Sequence, residues 1–465
     1  RSNLHNFYKT PDGRTPKGSL VQASNGKLYG VTGTGGASNL GALFEYDITN
    51  AVFTNKVDFG GATIGRGPAG PLEIGSNGLL YGITISGGTN GGVLYEFNPT
   101  TGVYTAKHHF DSNDGPNSGT LELASNNKLY GTMPSGFFEY DTGTDTYSQK
   151  IIFDSTIGEQ ALLSLQQITG GKLYGLSSRG LDDALAVIDI STNTYTTEHK
   201  FNSVYKGHNP QGNLLLANNE KLYGTTYGEG SPFSGTLFEL DPITEEVTLK
   251  YNFASTHGKE PIGNLIQASD DLLYGMTKRG GANGGGVIFN FNTETGVYTK
   301  LQEFDVPAIY SGHKGRAPYG SLVQASNGDF YGMTYAGGSY DFGVLFEFKT
   351  SDNSLTRKVN FSSSNSAGCR PFGSLIEAAD GYLYGMTYQC GKYGSGTMFK
   401  YNPGGGLVTV LVDFGGPSDS GKSTAAKGAA ATDSDGKNPR GDLYEAENGK
   451  LYGLTVNGGD YGFGI

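Results

Sequence analysis

Apolar and polar residues alternate along this chain in short runs closed by Gly, Asn or Asp, and no window sustains the spacing of an amphipathic helix. The stretch GSLVQASNGKLYGVTGTGG, residues 18–36, shows the pattern, and GSLVQASNGDFYGMTYAGG, residues 320–338, repeats it almost letter for letter. Leu-Tyr-Gly or Phe-Tyr-Gly occurs nine times, with its tyrosine at Tyr29, Tyr81, Tyr130, Tyr174, Tyr223, Tyr274, Tyr331, Tyr384 and Tyr452. The intervals run from 44 residues (Tyr130 to Tyr174) to 68 (Tyr384 to Tyr452), a tandem period of propeller-like length.

Each repeat reads as four strands, exemplified by GSLVQAS, KLYGVT, GALFEYD and FTNKVDF. A tight NG, NN or DG turn joins the first two, a Gly-rich loop the next two, and a short polar turn the last two. Asn-Gly between β-patterned runs predicts a hairpin, because both turn residues accept positive φ. A meander of four strands cannot bury both faces alone, whereas radial stacking covers each sheet with its neighbours. The expected fold is therefore all-β: one β-propeller domain over residues 1–465, built of nine four-stranded antiparallel blades. The recurring tyrosines are assigned to the core. The glycine after each is expected to admit an aromatic ring from the next blade. NLHNF near the N-terminus matches fourth strands such as NKVDF and RKVNF, so a strand within residues 1–8 is expected to complete the last blade and close the ring. The ninth repeat stops at GFGI, the start of a third strand, which predicts that the natural chain continues past Ile465.

The combined pattern G-x-x-P-x-G-x-L, LYG-x-T-x-x-GG and G-x-L-F-E-Y-D resembles the GloVer tandem repeats over essentially the whole chain. The resemblance implies secretion and display on a bacterial surface, with secretion or anchoring machinery as a partner, and implies no particular activity.

Composition narrows the remaining classes. Glycine is abundant (76 of 465), tyrosine numerous (30) and tryptophan absent, yet there is no Gly-X-Y period and the aromatics are evenly spread, which excludes collagen and argues against disorder. With 33 basic against 44 acidic residues the net charge is −11, which argues against a general nucleic-acid binder. No apolar run has the length of a membrane-spanning helix. A monomer without cofactor is expected.

Chain order places the inter-blade loop and the second-to-third loop at one rim, leaving only tight turns at the other, so function is expected on the Gly-rich rim. Basic residues follow the inter-blade glycine: Arg14, Arg66, His208, Lys259, Arg316 and Lys437, with Arg370 one position later. They read either as a ring that binds an anionic group or as donors to neighbouring blades. Tyr227, Tyr335, Tyr340, Tyr388, Tyr393 and Tyr461 gather in the loops of the later repeats. They read either as a surface for sugar rings or protein partners, or as loop packing.

Other motifs carry less. GPSDSGKS, residues 416–423, has a Walker A spacing, but it opens the Gly/Ser/Ala-rich insertion 415–438 with no βαβ context. Asp433 and Asp435 lie in a fragment of a calcium-loop pattern whose first position is Ala431, and RGD at 440–442 is too short to be specific. His208, His257 and His313 fall in successive inter-blade loops without further ligands at metal spacing. Cys369 and Cys390 flank the inner hairpin of the eighth repeat and are predicted to form a disulfide, which favours an oxidising compartment. The expected function is non-catalytic binding or adhesion, outside the cell, through the Gly/Tyr-rich rim, with a glycan or protein as ligand. The alternatives are a secreted polysaccharide-acting enzyme with its site at the channel mouth, and a spacer without ligand.

Overall fold

A computed structural model of the chain describes residues 7, 12–89, 91–111, 121–133, 136–152, 162–168, 171–177, 184–192, 194–200, 208–228, 234–305, 314–363, 367–414, 436–439, 443–445, 449–452 and 455–458. The described elements are strands, apart from one helical turn at Gly61–Ile64 between the first two repeats. In the first repeat, Arg14–Gln22, Leu28–Thr34, Ala42–Asp47 and Val52–Asp58 pair antiparallel in chain order. The second to eighth repeats do the same, with the first strand of the sixth and eighth broken into two pieces. The protein is thus an all-β chain of repeated four-stranded antiparallel sheets. Among the described residues no helix is long and apolar enough to cross a membrane. The chain gathers into two compact units: Arg1 with Glu198–Gly416 and Lys437–Lys450, and Ser2–Thr197 with Pro417–Gly436 and Leu451–Ile465.

Within each unit the core lies between successive sheets. One cluster joins Tyr29, Leu43 and Phe59 of the first repeat to Leu72, Tyr95 and Phe97 of the second. Others join the second to the third, the fifth to the sixth, the sixth to the seventh and the seventh to the eighth. The recurring tyrosine is the contact that carries over. Tyr29 meets Phe97 at 5.9 Å between ring centroids, Tyr223 meets Phe291 at 6.1 Å and Tyr331 meets Tyr401 at 6.0 Å. Truncating such a ring to Ala costs about 3–5 kcal/mol.

The glycine after it plays a different part from the one expected. A Cβ on Gly30 would stand 2.5 Å from Phe44 Cζ, and one on Gly224 would stand 2.4 Å from Phe238 Cζ. Phe44 and Phe238 lie directly opposite these glycines on the third strand of the same sheet. The glycine therefore makes room for a ring of its own repeat, not of the next. The turns differ too. Gly26, Gly78, Asn127 and Gly328 have positive φ, whereas Asn25, Asn77, Asn126 and Asn327 before them do not. Only the second turn residue is left-handed, as in a type I turn followed by a bulge residue.

That geometry frees the first turn residue's side chain for the core. Asn25 Nδ2 donates to the Tyr29 hydroxyl at 2.9 Å, which donates to Glu45 Oε2 at 2.6 Å. Lys27 and Lys56 close on Glu45 at 2.8 and 3.5 Å. Asn126, Tyr130, Glu139, Lys128 and Lys150 form the same cluster, as do Asn219, Tyr223, Glu239, Lys221 and Lys250. The sixth and eighth repeats move the carboxylate instead of losing it. Tyr274 and Tyr384 donate at 2.7 Å to Asp270 and Asp380, at the turn position that Asn holds elsewhere. The third-strand Glu is then Asn290 or Lys400, and the fourth-strand Lys is Leu301 or Leu411. These tyrosines keep one carboxylate each, and the half-buried fourth-strand lysine accompanies the third-strand glutamate; Tyr174 of the fourth repeat faces Val187 instead.

A second tie runs along the first strands. Gln267 Oε1 accepts from the Asn218 N–H of the preceding repeat at 2.8 Å, Gln324 from Ser269 at 3.0 Å, and Glu377 from Ser326 at 2.8 Å. Each satisfies an amide in the turn that follows the first strand of the preceding repeat. In the other unit, Gln167 Oε1 accepts from Ser125 at 2.5 Å. There, one position earlier in the first strand, Glu73 and Glu122 face Tyr81 and Tyr130 in adjacent repeats, and Glu122 Oε1 accepts from the Gln167 N–H at 3.2 Å. Burial, with the Glu122 charge added, pushes the Glu73 carboxyl up to about 7. Burial also raises Glu122.

Two predictions follow the chemistry of these clusters. Lys250→Leu, which leaves Glu239 with Lys221 alone, is expected to lower the unfolding free energy by about 1–3 kcal/mol. The triple variant Asn219→Asp, Glu239→Asn, Lys250→Leu converts the fifth repeat to the arrangement of the sixth and is expected to recover most of the loss; chemical denaturation of all three proteins checks this. The second concerns pH. Burial opposes charge on Glu45, Glu139 and Glu239, but hydrogen bonds from the tyrosine and lysines outweigh it, so their folded pKa values lie below the usual range. The stability they confer is complete above the unfolded carboxylate pKa of about 4.3 and is lost as pH falls through the folded values. Glu73 has the opposite sign: its contribution is complete below about pH 4 and is lost as pH rises through its raised folded value. Glu73→Gln should therefore match wild type in thermal midpoint near pH 4 and exceed it near pH 8, and equal midpoints at both pH values would refute the assignment.

Candidate functional site

At one end of each sheet the start of the first strand lies beside the end of the second. The register pairs Arg14 with Thr34, Arg66 with Ser86, Lys259 with Arg279 and Cys369 with Gln389. A left-handed residue follows the basic one: Thr15, Gly67, Asn209, Glu260 and Ala317 have φ between 54° and 62°. Arg370 itself occupies this position in the eighth repeat, with φ 55°. Its backbone explains why the strain recurs. The N–H groups of Gly67, Glu260, Ala317 and Arg370 donate to Leu40, Ser234, Gly285 and Phe342 of the preceding repeat, at 2.7 to 3.0 Å. The proline that follows closes over that repeat's third-strand glycine; a Cβ on Gly41 would stand 2.5 Å from Pro68 Cδ. The basic residues thus sit on a structural hinge between repeats.

Their side chains have separate fates. Arg14 Nε donates to Thr34 Oγ1 at 3.0 Å and Arg66 Nε to Ser86 Oγ at 3.1 Å, each within its own repeat. Arg316 grips Asp341 with Nε at 3.1 Å and Nη2 at 2.8 Å. Lys259 is half-buried. The side chains of Lys437 and His208, together with Tyr461, His313, Asp433, Asp435, the Walker-like segment and RGD, lie outside the described residues. His257 Nδ1 lies 3.0 Å from Thr256 Oγ1 on the surface.

In the fifth to eighth repeats, by contrast, rings and charges meet. Tyr227 donates to Glu260 Oε2 at 3.0 Å, and Arg279 Nη1 donates to Glu260 Oε1 at 3.1 Å. Burial, followed by that bond, raises the Tyr227 pKa. Lys278 Nζ lies 6.0 Å from the Tyr227 ring centroid and 4.7 Å from that of Tyr319. Tyr319 stacks on Phe372 at 4.9 Å and 21°, and Tyr335 stands edge-on to both, at 5.4 and 6.3 Å. The Arg370 guanidinium lies 5.0 Å from the Tyr335 centroid and 5.6 Å from that of Phe342. Phe372 is 43% exposed. Tyr388, on the strand beside Arg370, is half-buried. Tyr340 and Tyr393 are exposed in the loops, the latter with Lys392 Nζ 5.0 Å from its ring. Cys369 and Cys390 form the expected disulfide, with Cα atoms 5.2 Å apart, and anchor the residue next to Arg370.

Tyr227, Tyr335 and Arg370 were thus brought into one row, while Arg14, Arg66 and Arg316 were not. Sequence reasoning missed Tyr319, Phe372, Lys278 and Glu260. The first two follow the inter-repeat proline, a column occupied elsewhere by Lys17, Ala69, Gln211 and Ile262. Reading the repeats column by column would have exposed that change.

No curated protein matches the chain in sequence. Among solved structures, the extracellular domain of a hybrid two-component system from B. thetaiotaomicron is 14% identical, with 84% of this chain and 54% of that one covered at a TM-score of 0.34. The chain thus spans about half the length of that relative. The Dos1 propeller is 13% identical over 82% of this chain and 91% of that one, at 0.47. Dipeptidyl peptidase 4 from Porphyromonas gingivalis is 8% identical over 80% and 57%, at 0.48. A family model, by contrast, matches three times in tandem, over residues 1–137, 134–309 and 302–465, which together cover every repeat whose sheets and tyrosines are described above: the chain belongs to the Gloeobacter/Verrucomicrobia repeat family.

Proposed function

We propose that this protein is a secreted or surface-displayed, non-catalytic binding propeller that holds a glycan or protein on the Gly/Tyr-rich rim of its later repeats. The observation that carries the reading is the half-exposed platform of Tyr319, Phe372 and Tyr335 flanked by Lys278 and Arg370. Core aromatics in this fold are buried against the next repeat, whereas Phe372 presents a ring to solvent. Flat rings with polar neighbours suit a ligand that is apolar on one face and hydrogen-bonding at its edge. The disulfide favours an oxidising compartment, in keeping with the surface display that the family resemblance implies.

The proposed architecture is nine blades closed by the N-terminal strand. Phe7 supports this closure: it meets Phe44 at 5.1 Å and Phe53 at 5.6 Å in the first repeat. Phe59, at the end of a fourth strand, meets Tyr95 and Tyr104 of the second repeat at 5.2 and 6.1 Å. Phe7 therefore does for the first repeat what a preceding fourth strand does elsewhere.

Binding to a glycan array and to a panel of polysaccharides, followed by product analysis, tests the function. The expected result is retention of a ligand without release of oligosaccharides, weakened by at least about tenfold in the Tyr319→Ala, Phe372→Ala double variant. Released oligosaccharides would establish an enzyme instead, and ligand binding unchanged in the double variant would remove the platform from the site.

A further inference from the structure

We infer that the ligand of this rim is an anionic glycan, with a sugar ring laid on Phe372 and Tyr319 and carboxylates at either side of that ring received by Arg370 and by Lys278. The inference rests on the binding role proposed above and adds the charge of the ligand.

Arg370 is the reason. Among the described residues it forms no ion pair and no side-chain hydrogen bond; its guanidinium lies against the rings of Tyr335 and Phe342, and the nearby Asp341 carboxylate, which feels its charge, has both oxygens held by Arg316. Every other described arginine near this end has a polar partner: Arg14 and Arg66 a hydroxyl, Arg279 Glu260, and Arg316 both oxygens of Asp341. In a chain of net charge −11, with carboxylates in excess, an arginine left with its five N–H donors unused is a distinct feature. Its placement is also fixed. The Arg370 N–H is tied to Phe342 O at 2.8 Å, Pro371 follows it, and the disulfide holds Cys369 on its other side. The backbone that carries these donors is fixed, and the rings of Tyr335 and Phe342 flank the guanidinium, which lowers the cost of ordering it on a planar carboxylate.

Lys278 supplies the second charge at the far side of the platform. It lies 4.7 Å from the Tyr319 ring and 3.8 Å from Glu260, whose two oxygens already accept from Tyr227 and Arg279. The stacked pair between the two cations is small. Of the rings in mutual contact only Phe372 is exposed by more than a third. That area fits a sugar face, whereas a stable protein footprint covers about 800 Å² per partner.

The test uses the full chain with polygalacturonate, alginate and hyaluronate, each compared with its methyl ester by titration calorimetry. Wild type is expected to bind at least one acid about tenfold or more tightly than its ester. Arg370→Gln and Lys278→Gln should each narrow that ratio, Phe372→Ala should weaken acid and ester together, and thermal midpoints should confirm that all variants fold. Acid and ester bound alike, with Phe372→Ala still weakening both, would overturn the anionic ligand and leave the binding rim in place. If acid is preferred but both Gln variants keep the full ratio, the assignment of the carboxylates to Arg370 and Lys278 is overturned. If none of the three polymers binds, the inference fails. A neutral glycan or a protein whose binding Phe372→Ala abolishes would then preserve the rim, and the absence of any such ligand would remove both.

Discussion

A buried tyrosine must place its ring in the apolar space between two sheets and still satisfy its hydroxyl, and the remainder of each repeat is arranged around that requirement. The ring of Tyr29 reaches Phe97 of the following repeat, while its hydroxyl turns back to Glu45 and Asn25 of its own. A carboxylate in that position is costly unless charge is returned to it, which Lys27 and Lys56 do. The turn, the third strand and the fourth strand are thereby coupled through the Tyr29 hydroxyl and the Glu45 carboxylate. Where the turn itself supplies the acid, as at Asp270 and Asp380, the third and fourth strands are released from the obligation and carry Asn290 and Leu301, or Lys400 and Leu411.

Strand edges impose the second constraint. The first strand of a repeat pairs on one side only, and its free amides meet no partner in its own sheet. Side chains of the neighbouring repeat fill the gap, as Asn264 does for Asn213, and in the turn just beyond, Gln267 does for Asn218 and Gln324 for Ser269. At the other end of the sheet the left-handed residue before proline turns its N–H toward the preceding repeat. Backbone strain of this kind persists only where the surroundings determine it. Neighbouring repeats are consequently joined by apolar packing in the middle and by directed hydrogen bonds at both ends.

These constraints explain what was legible in the sequence. The tyrosine core, the four strands per repeat and the disulfide all follow from alternation, turn residues and spacing, which are local properties. The role of Gly30 was misjudged because periodicity states that a small residue is needed and not which ring fills the space; Phe44 of the same sheet does. The assumed two-residue turn with both φ values positive missed the amide of Asn25, whose importance lies in a contact with Tyr29 four residues on. The site was partly legible for a related reason. Tyr227 and Tyr335 stand out at the end of the second strand, but Tyr319 and Phe372 follow the inter-repeat proline outside any strand, where no local pattern marks a ring as part of a surface.

A repeat fold separates the positions that build it from those that are free to vary. The column after the inter-repeat proline holds Lys17, Ala69, Gln211, Ile262, Tyr319 and Phe372 in different repeats. No shared packing requirement can be met by residues so unlike in size and polarity, so the scaffold does not demand rings at this position. The left-handed position shows the same freedom in its side chains, from Thr15 and Ala317 to Glu260 and Arg370, although the backbone there is held constant. Arg370 and Phe372 are thus placed by an invariant backbone and chosen independently of it. Their convergence on one small platform with Tyr319 and Tyr335 is what distinguishes the seventh and eighth repeats from the other described copies.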